Sequence, residues 1–109
     1  MKRQYRLGLP QNFKILFRKG KRVENPLLRV TILANHLSHA RIALITPRAI
    51  EKRAVLRNRL RRRTSEWIRR NAVLGLSLDI AIFFKRDAIG APRRKLYEEL
   101  RKIFGEYIN

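Results

Sequence analysis

Apolar residues recur along the chain with two different periods, and the switches between them mark out the elements. After Pro10, the residues Phe13, Leu16 and Phe17 stand at i, i+3, i+4, one face of a helix, and Gly20 can close it. A helix is expected over about 10–19. Beyond "KRVEN" the period drops to two: Leu28, Val30 and Ile32 alternate with Arg29, Thr31 and Leu33, a strand pattern. "NHLSHA" (35–40) is a polar connection, and "RIALIT" (41–46) is a further strand stopped by Pro47. Helical spacing then returns over 54–70, where Leu56, Leu60, Thr64 and Trp67, continued by Asn71 and Leu74, fall in one arc. Asn58, Arg61, Arg62, Ser65 and Arg69 lie roughly opposite, with Arg59, Arg63, Glu66 and Arg70 on a flank. "LDIAIFFK" (78–85) reads as a buried strand. Pro92 opens a last helix with Leu96, Leu100, Ile103 and Phe104 on its apolar face and Glu98 and Glu99 off it. The order α-β-β-β-α-β-α predicts an α/β two-layer sandwich with a small mixed sheet and a long central helix. At 109 residues the chain is expected to be one domain, 1–109.

Charge changes the picture more than length does. Lys and Arg number 27 against 8 acids, a net charge of +19. The excess is uneven: residues 1–50 hold 11 basic groups and one acid, 51–70 hold 9 and 2, and 71–109 hold 7 and 5. The stretch "AVLRNRLRRRTSEWIRR" alone carries seven arginines and one acid. Such a face repels itself and attracts a polyanion, whereas ordinary solvated faces mix both signs. With 45% hydrophobic residues the chain is no disordered basic tail. No run of 18 apolar residues could span a bilayer, the longest tract (72–84) being broken by Asp79, and no signal-peptide pattern follows the first basic residues. With no cysteine there is no disulfide framework or thiolate metal site, and a cytoplasmic protein without membrane association is expected.

Candidate catalytic chemistry is sparse. There is no thiol nucleophile and no glycine-rich phosphate loop, and the eight acids are scattered, three of them in the final helix. His36 and His39 form an H-x-x-H pair, but zinc needs three or four ligands and no others lie near. No catalytic residue and no protein-held metal is expected. Arginine, by contrast, offers a planar fork that matches phosphate oxygens two at a time.

The segment "RIALITPRAIEKRAVLRNRLRRRTSEWIR" resembles the protein component of bacterial ribonuclease P. Arg57, Asn58 and Arg59 match that family's Arg-Asn-Arg motif, Leu60 its apolar position, Arg61 and Arg62 its basic pair, and Glu66 its later acid. "RIALI" is similar to the family's Arg-hydrophobic-Gly-Leu strand, with Ala43 in the glycine place. Phe13, Phe17 and Gly20 match its first helix, and "LDIAIFFKR" its late strand. The chain departs from the pattern at Pro47-Arg48-Ala49, where the family has Ser/Ala-Lys-Lys. It departs again at Ser65, where the family has arginine, and at Thr31, where an aromatic is frequent.

The resemblance implies a subunit that binds the catalytic RNA and the 5′ leader of precursor tRNA, with Mg2+ held mainly by the RNA and no obligate protein partner. It implies Arg53, Arg57, Asn58, Arg59, Arg61 and Arg62 for the catalytic RNA. For the leader it implies Phe13, Phe17, Arg29, Thr31 and Arg48. The fold it implies has a left-handed crossover, which the general right-handed rule would not predict. Three other classes compete. A small ribosomal or other structural RNA-binding protein shares the charge and size. A DNA-binding module would need a short turn and a preceding helix before the long one. A freestanding nuclease would need arranged carboxylates.

Overall fold

The computed structural model describes residues 1–108. Three helices and four strands follow the expected order: α1 (Pro10–Lys19), β1 (Lys21–Glu24), β2 (Leu28–Ala34), β3 (Arg41–Ile45), α2 (Ala54–Arg70), β4 (Leu78–Phe84) and α3 (Arg93–Ile108). Short 3-10 turns at Arg3–Tyr5, Val73–Gly75 and Arg86–Ala88 join them. The strands lie in the order β1-β2-β4-β3. β2 is antiparallel to both its neighbours, and Asn25 shapes the β1–β2 turn by accepting the Leu27 and Leu28 amides at 2.9 and 2.8 Å. Only β3 and β4 are parallel, and parallel neighbours need a long crossover; α2 supplies it.

Alternation divides the sheet into two faces. Val30, Ile32, Ile42, Ile80, Ile82 and Phe84 join the main core with Leu60, Trp67 and Ile68 of α2 and Leu96, Leu100, Ile103 and Phe104 of α3. The Trp67 and Phe104 rings, 6.1 Å apart, hold the two helices together. The opposite face carries a smaller cluster, Leu7, Leu16, Ala43 and Ala81, under α1, with Phe13, Leu33, Ile45 and Phe83 only partly covered. The sandwich is thus the sheet on α2 and α3, with α1 laid across part of the other side. Gly20 permits that placement: a Cβ there would sit 2.5 Å from the Leu16 carbonyl oxygen and 2.7 Å from the Thr31 methyl.

Two acids depart from their sequence reading. Asp79 interrupts an apolar tract, yet it is buried and takes a bidentate pair from Arg41, Nε to Oδ1 at 2.8 Å and Nη2 to Oδ2 at 2.7 Å. Asn35 donates to the same Oδ1 at 3.0 Å and to the His39 carbonyl at 3.1 Å, tying the β2–β3 connection to β4. The carboxylate bond holds the Arg41 guanidinium above its ordinary pKa. Glu99, expected off the apolar face of α3, is buried on it, because Lys95 and Lys102 reach over the helix to its Oε1 at 3.1 and 3.2 Å.

Candidate nucleic-acid interface

Helix α2 sorts its side chains by contact with the sheet. Leu60, Thr64, Trp67 and Ile68 are buried; Asn58, Arg59, Arg62, Arg69 and Arg70 are exposed; Arg57, Arg61 and Arg63 straddle the boundary. These three, though off the apolar arc by helical period, are half-buried. Their stems lie along the apolar seam, and the Nε atoms of Arg57 and Arg63 are covered without a protein partner. Each of those guanidinium groups has already lost part of its water in the folded protein, which strengthens any phosphate bond it then makes. Asn58 accepts a hydrogen bond from Arg61 Nη2 through Oδ1, so its amide NH2 remains to donate outward. The face is left almost unbalanced: only Glu66, which accepts from Arg70 Nη2 at 2.9 Å, offsets the seven arginines of α2.

Arg53 behaves differently from the arginines inside the helix. It occupies the N-cap, and Glu51 takes its Nε and Nη2 at 2.9 and 3.0 Å and its amide at 2.9 Å. The Arg53 side-chain bond, then the Arg53 amide, hold the Glu51 carboxyl down to about 2. The Nε–Nη2 edge of the Arg53 fork is therefore already taken by an acid, and a phosphate meets its remaining N–H groups or displaces Glu51.

On the far side of the sheet, α1 and β4 build an aromatic surface. Phe13 and Phe17 stack with ring centroids 5.9 Å apart, and Phe17 meets Phe83 at the same distance, tilted by 45°. Phe17 is 43% exposed, far more than a core phenylalanine. Arg29 pairs across the strands with Phe83 and is exposed beside it, its Nε donating to Glu24 at 3.0 Å. Lys85 reaches the same Glu24 oxygen at 3.1 Å; Lys85 first, and Arg29 second, hold that carboxyl below its usual range. Arg48 is exposed in the turn beyond β3, whose Ile45 pairs with Phe83. Thr31 is the exception. It is 3% exposed, its methyl packed where α1 closes at Gly20, so it forms the floor under the helix and offers nothing to a ligand. Phe83 supplies the aromatic surface that Thr31 lacks. Its signal in the sequence was the alternation inside "AIFFK", masked because both faces of β4 are apolar.

The histidines do not converge on a metal. His39 bonds its neighbour's carbonyl through Nδ1 at 2.9 Å and packs edge-to-face on Tyr5, and among the described residues no three His, Asp or Glu side chains form a metal cluster. No helix there is long and apolar enough to cross a membrane.

Comparison with known proteins decides among the classes that share this geometry. The family model for ribonuclease P matches residues 1–108. The chain belongs to the ribonuclease P protein family. The ribonuclease P protein component of Yersinia pestis (strain Pestoides F) is 31% identical over 102 residues, 94% of this chain and 86% of that protein. That of Thermotoga maritima is 32% identical, over 93% of this chain and 80% of the relative. The structure of the Staphylococcus aureus RNase P protein superposes with a TM-score of 0.84 at 22% identity, covering 96% of this chain and 98% of that one, which shows the shared fold. Membership makes the chain a protein subunit of a tRNA-processing ribonucleoprotein and sets aside the ribosomal alternative.

Proposed function

We propose that α2 docks this protein onto the RNA subunit of ribonuclease P and that the aromatic groove beside α1 holds the 5′ leader of precursor tRNA. The holoenzyme then removes the leader endonucleolytically, with the chemistry carried by the RNA. The observation that carries this reading is the outward face of α2, where cations accumulate against a single acid, Glu66. Two adjacent charges about 6 Å apart repel by about 0.7 kcal/mol in water, so several such pairs cost a noticeable part of a small domain's stability. A polyanion reverses the sign of that cost. Arg57, Arg59, Arg61 and Arg62 present forks to phosphates, and Asn58 adds a directional donor. Arg53 exchanges Glu51 for phosphate at the start of the helix.

In the groove an extended single strand places bases on Phe13, Phe17 and Phe83, where stacking contributes about 1–3 kcal/mol per base without demanding a sequence. Arg29 and Arg48 lie at one end of it for leader phosphates. Magnesium belongs to the RNA in this reading; Asp79, Glu51 and Glu99 are each engaged by cations of this chain. The protein's own contribution is positioning and charge neutralisation, since two RNAs must approach despite like charge. With about six phosphates engaged, affinity for the RNA subunit falls with salt at a log–log slope of roughly −4 to −5.

Reconstitution tests the reading. The RNA subunit from the same source is given a precursor tRNA with a short leader at low magnesium, with and without the protein. Strong stimulation by the wild type, lost with Arg57→Ala plus Arg59→Ala, is the expected result. A folded protein that leaves the rate unchanged would refute it.

A further inference from the structure

A cleft of about 760 Å³ opens between the N-terminal 3-10 turn and the second half of α2. That volume lies in the range that receives small organic ligands. Its walls are chemically distinct. Arg62, Glu66 and Arg69 recur at i, i+4, i+7 and form one stripe along the helix, with Ser65 beside them. Tyr5 faces them, half-buried, its ring fixed edge-to-face on His39 at 5.5 Å. Leu74 provides an apolar side. Glu66 gives one oxygen to Arg70, and among the described residues its Oε2 accepts no hydrogen bond.

This combination does not suit a phosphate alone. Arg62, Arg69 and Lys2 can hold phosphates at the edges of the cleft, but a phosphate leaves the free Glu66 oxygen between them without a donor. It suits a flat, neutral ring with N–H donors, carried on a polyanion whose phosphates satisfy the arginines. We propose that the cleft receives one unstacked guanine of the RNA docked along α2. Its ring packs on Tyr5 and Leu74, its N1–H and N2–H groups donate to Glu66, and Arg62 and Arg69 hold the flanking phosphates. Guanine alone presents two adjacent donors on that edge, which a carboxylate accepts side by side; adenine and cytosine present one donor next to an acceptor, and uracil one between two acceptors. The acid on an otherwise cationic face then acts as a reader of base identity rather than as a leftover charge. The proposal rests on α2 being an RNA-docking helix and adds a base preference to it.

The test uses the full chain and RNA hairpins that differ only in a single bulged nucleotide: guanosine, adenosine, uridine or an abasic residue, at one fixed salt concentration. The bulged-guanosine hairpin binds roughly tenfold tighter than the other three. Glu66→Gln, nearly isosteric and on the helix surface, abolishes that preference. Tyr5→Ala lowers the guanosine hairpin to the abasic level while Tyr5→Phe retains it, and thermal melts establish that each variant is folded. Arg57→Ala plus Arg59→Ala weakens all four hairpins alike and keeps their ratio. Equal binding of the four, or a guanosine preference that survives Glu66→Gln, overturns the proposal. Either result leaves RNA docking by α2 intact, whereas failure of that docking would show as no binding of any hairpin together with a failed reconstitution.

Discussion

Helices α2 and α3 are near twins in construction. They have 17 and 16 residues, bury apolar stripes on the same face of the sheet, and meet through Trp67 and Phe104. They treat their cations in opposite ways. α3 balances five basic residues with three acids and draws Lys95 and Lys102 inward to a buried Glu99. α2 sets seven arginines against one acid and turns most of them outward. Packing needs the apolar stripe and is indifferent to the sign of the outer face, so the outer faces record what each helix is for. α3 neutralises its own cations as a scaffold helix does; α2 leaves most of its charge uncompensated, as the proposed RNA-docking role requires.

The largest test of that contrast lies in the shared seam. Phe104→Ala removes a fully buried ring and costs about 3–5 kcal/mol, whereas Arg62→Ala, on the open face, changes stability by no more than about 0.5 kcal/mol. Denaturant melts of both variants would show it, and similar losses from the two would erase the distinction.

Binding should show the reverse order. Arg57→Ala plus Arg59→Ala removes two charge-assisted contacts, about 3 kcal/mol together, and weakens RNA affinity roughly a hundredfold. The matching double change on α3, Arg101→Ala plus Lys102→Ala, alters only the general field and stays within about threefold at 0.15 M salt. Equal losses would mean that net charge, not the α2 face, carries the affinity.

A smaller effect separates the helices without any RNA. Inorganic phosphate binds the folded α2 face and relieves its repulsion; at ten times its Kd it adds about 1.4 kcal/mol and raises Tm by several degrees. The Arg57→Ala plus Arg59→Ala protein should respond less, and the α3 double variant as the wild type does. An unmoved Tm in the wild type would contradict the charge argument.

The finest distinction is in acid. Lys95, ahead of Lys102, holds Glu99 below the ordinary carboxylate range. A carboxyl with a lowered folded pKa contributes fully above its unfolded value, about 4.3, and loses that contribution as pH falls through the folded value. Glu99→Gln should therefore flatten the loss of stability below about pH 4. Glu51, held at about 2, keeps its grip on Arg53 through the same window. A wild-type melt insensitive to pH there would remove the special place of Glu99.

What could be read from the sequence follows from which signals are local. The three helices and the strands β2, β3 and β4 were legible because their periods are short-range, although the helical period of α2 runs on to Leu74 while the helix itself stops at Arg70. The Arg-Asn-Arg face was legible because seven like charges on one helix have no structural reason. Three features were not. Asp79 and Glu99 look like surface acids until Arg41, Lys95 and Lys102 are brought to them. Thr31 belongs to the leader-groove pattern by its place on β2, but the tight closure of α1 at Gly20 buries it. Phe83 joins the groove only through the pairing of β2 with β4 and the docking of Phe17, both long-range.

The crossover from β3 to β4 also sets a dimension. Because the two strands are parallel, α2 must begin near the end of the sheet where β3 stops and travel back about 25 Å before β4 starts. Arg53, Arg57 and Asn58 therefore start from the same rim of the molecule as Arg48, Ile45, Phe83 and Arg29. Connectivity alone makes the protein a jig: whatever grips the beginning of α2 and whatever lies on the aromatic rings are held at a spacing fixed by the eight residues 46–53. Lengthening that segment would leave both surfaces intact and misalign them.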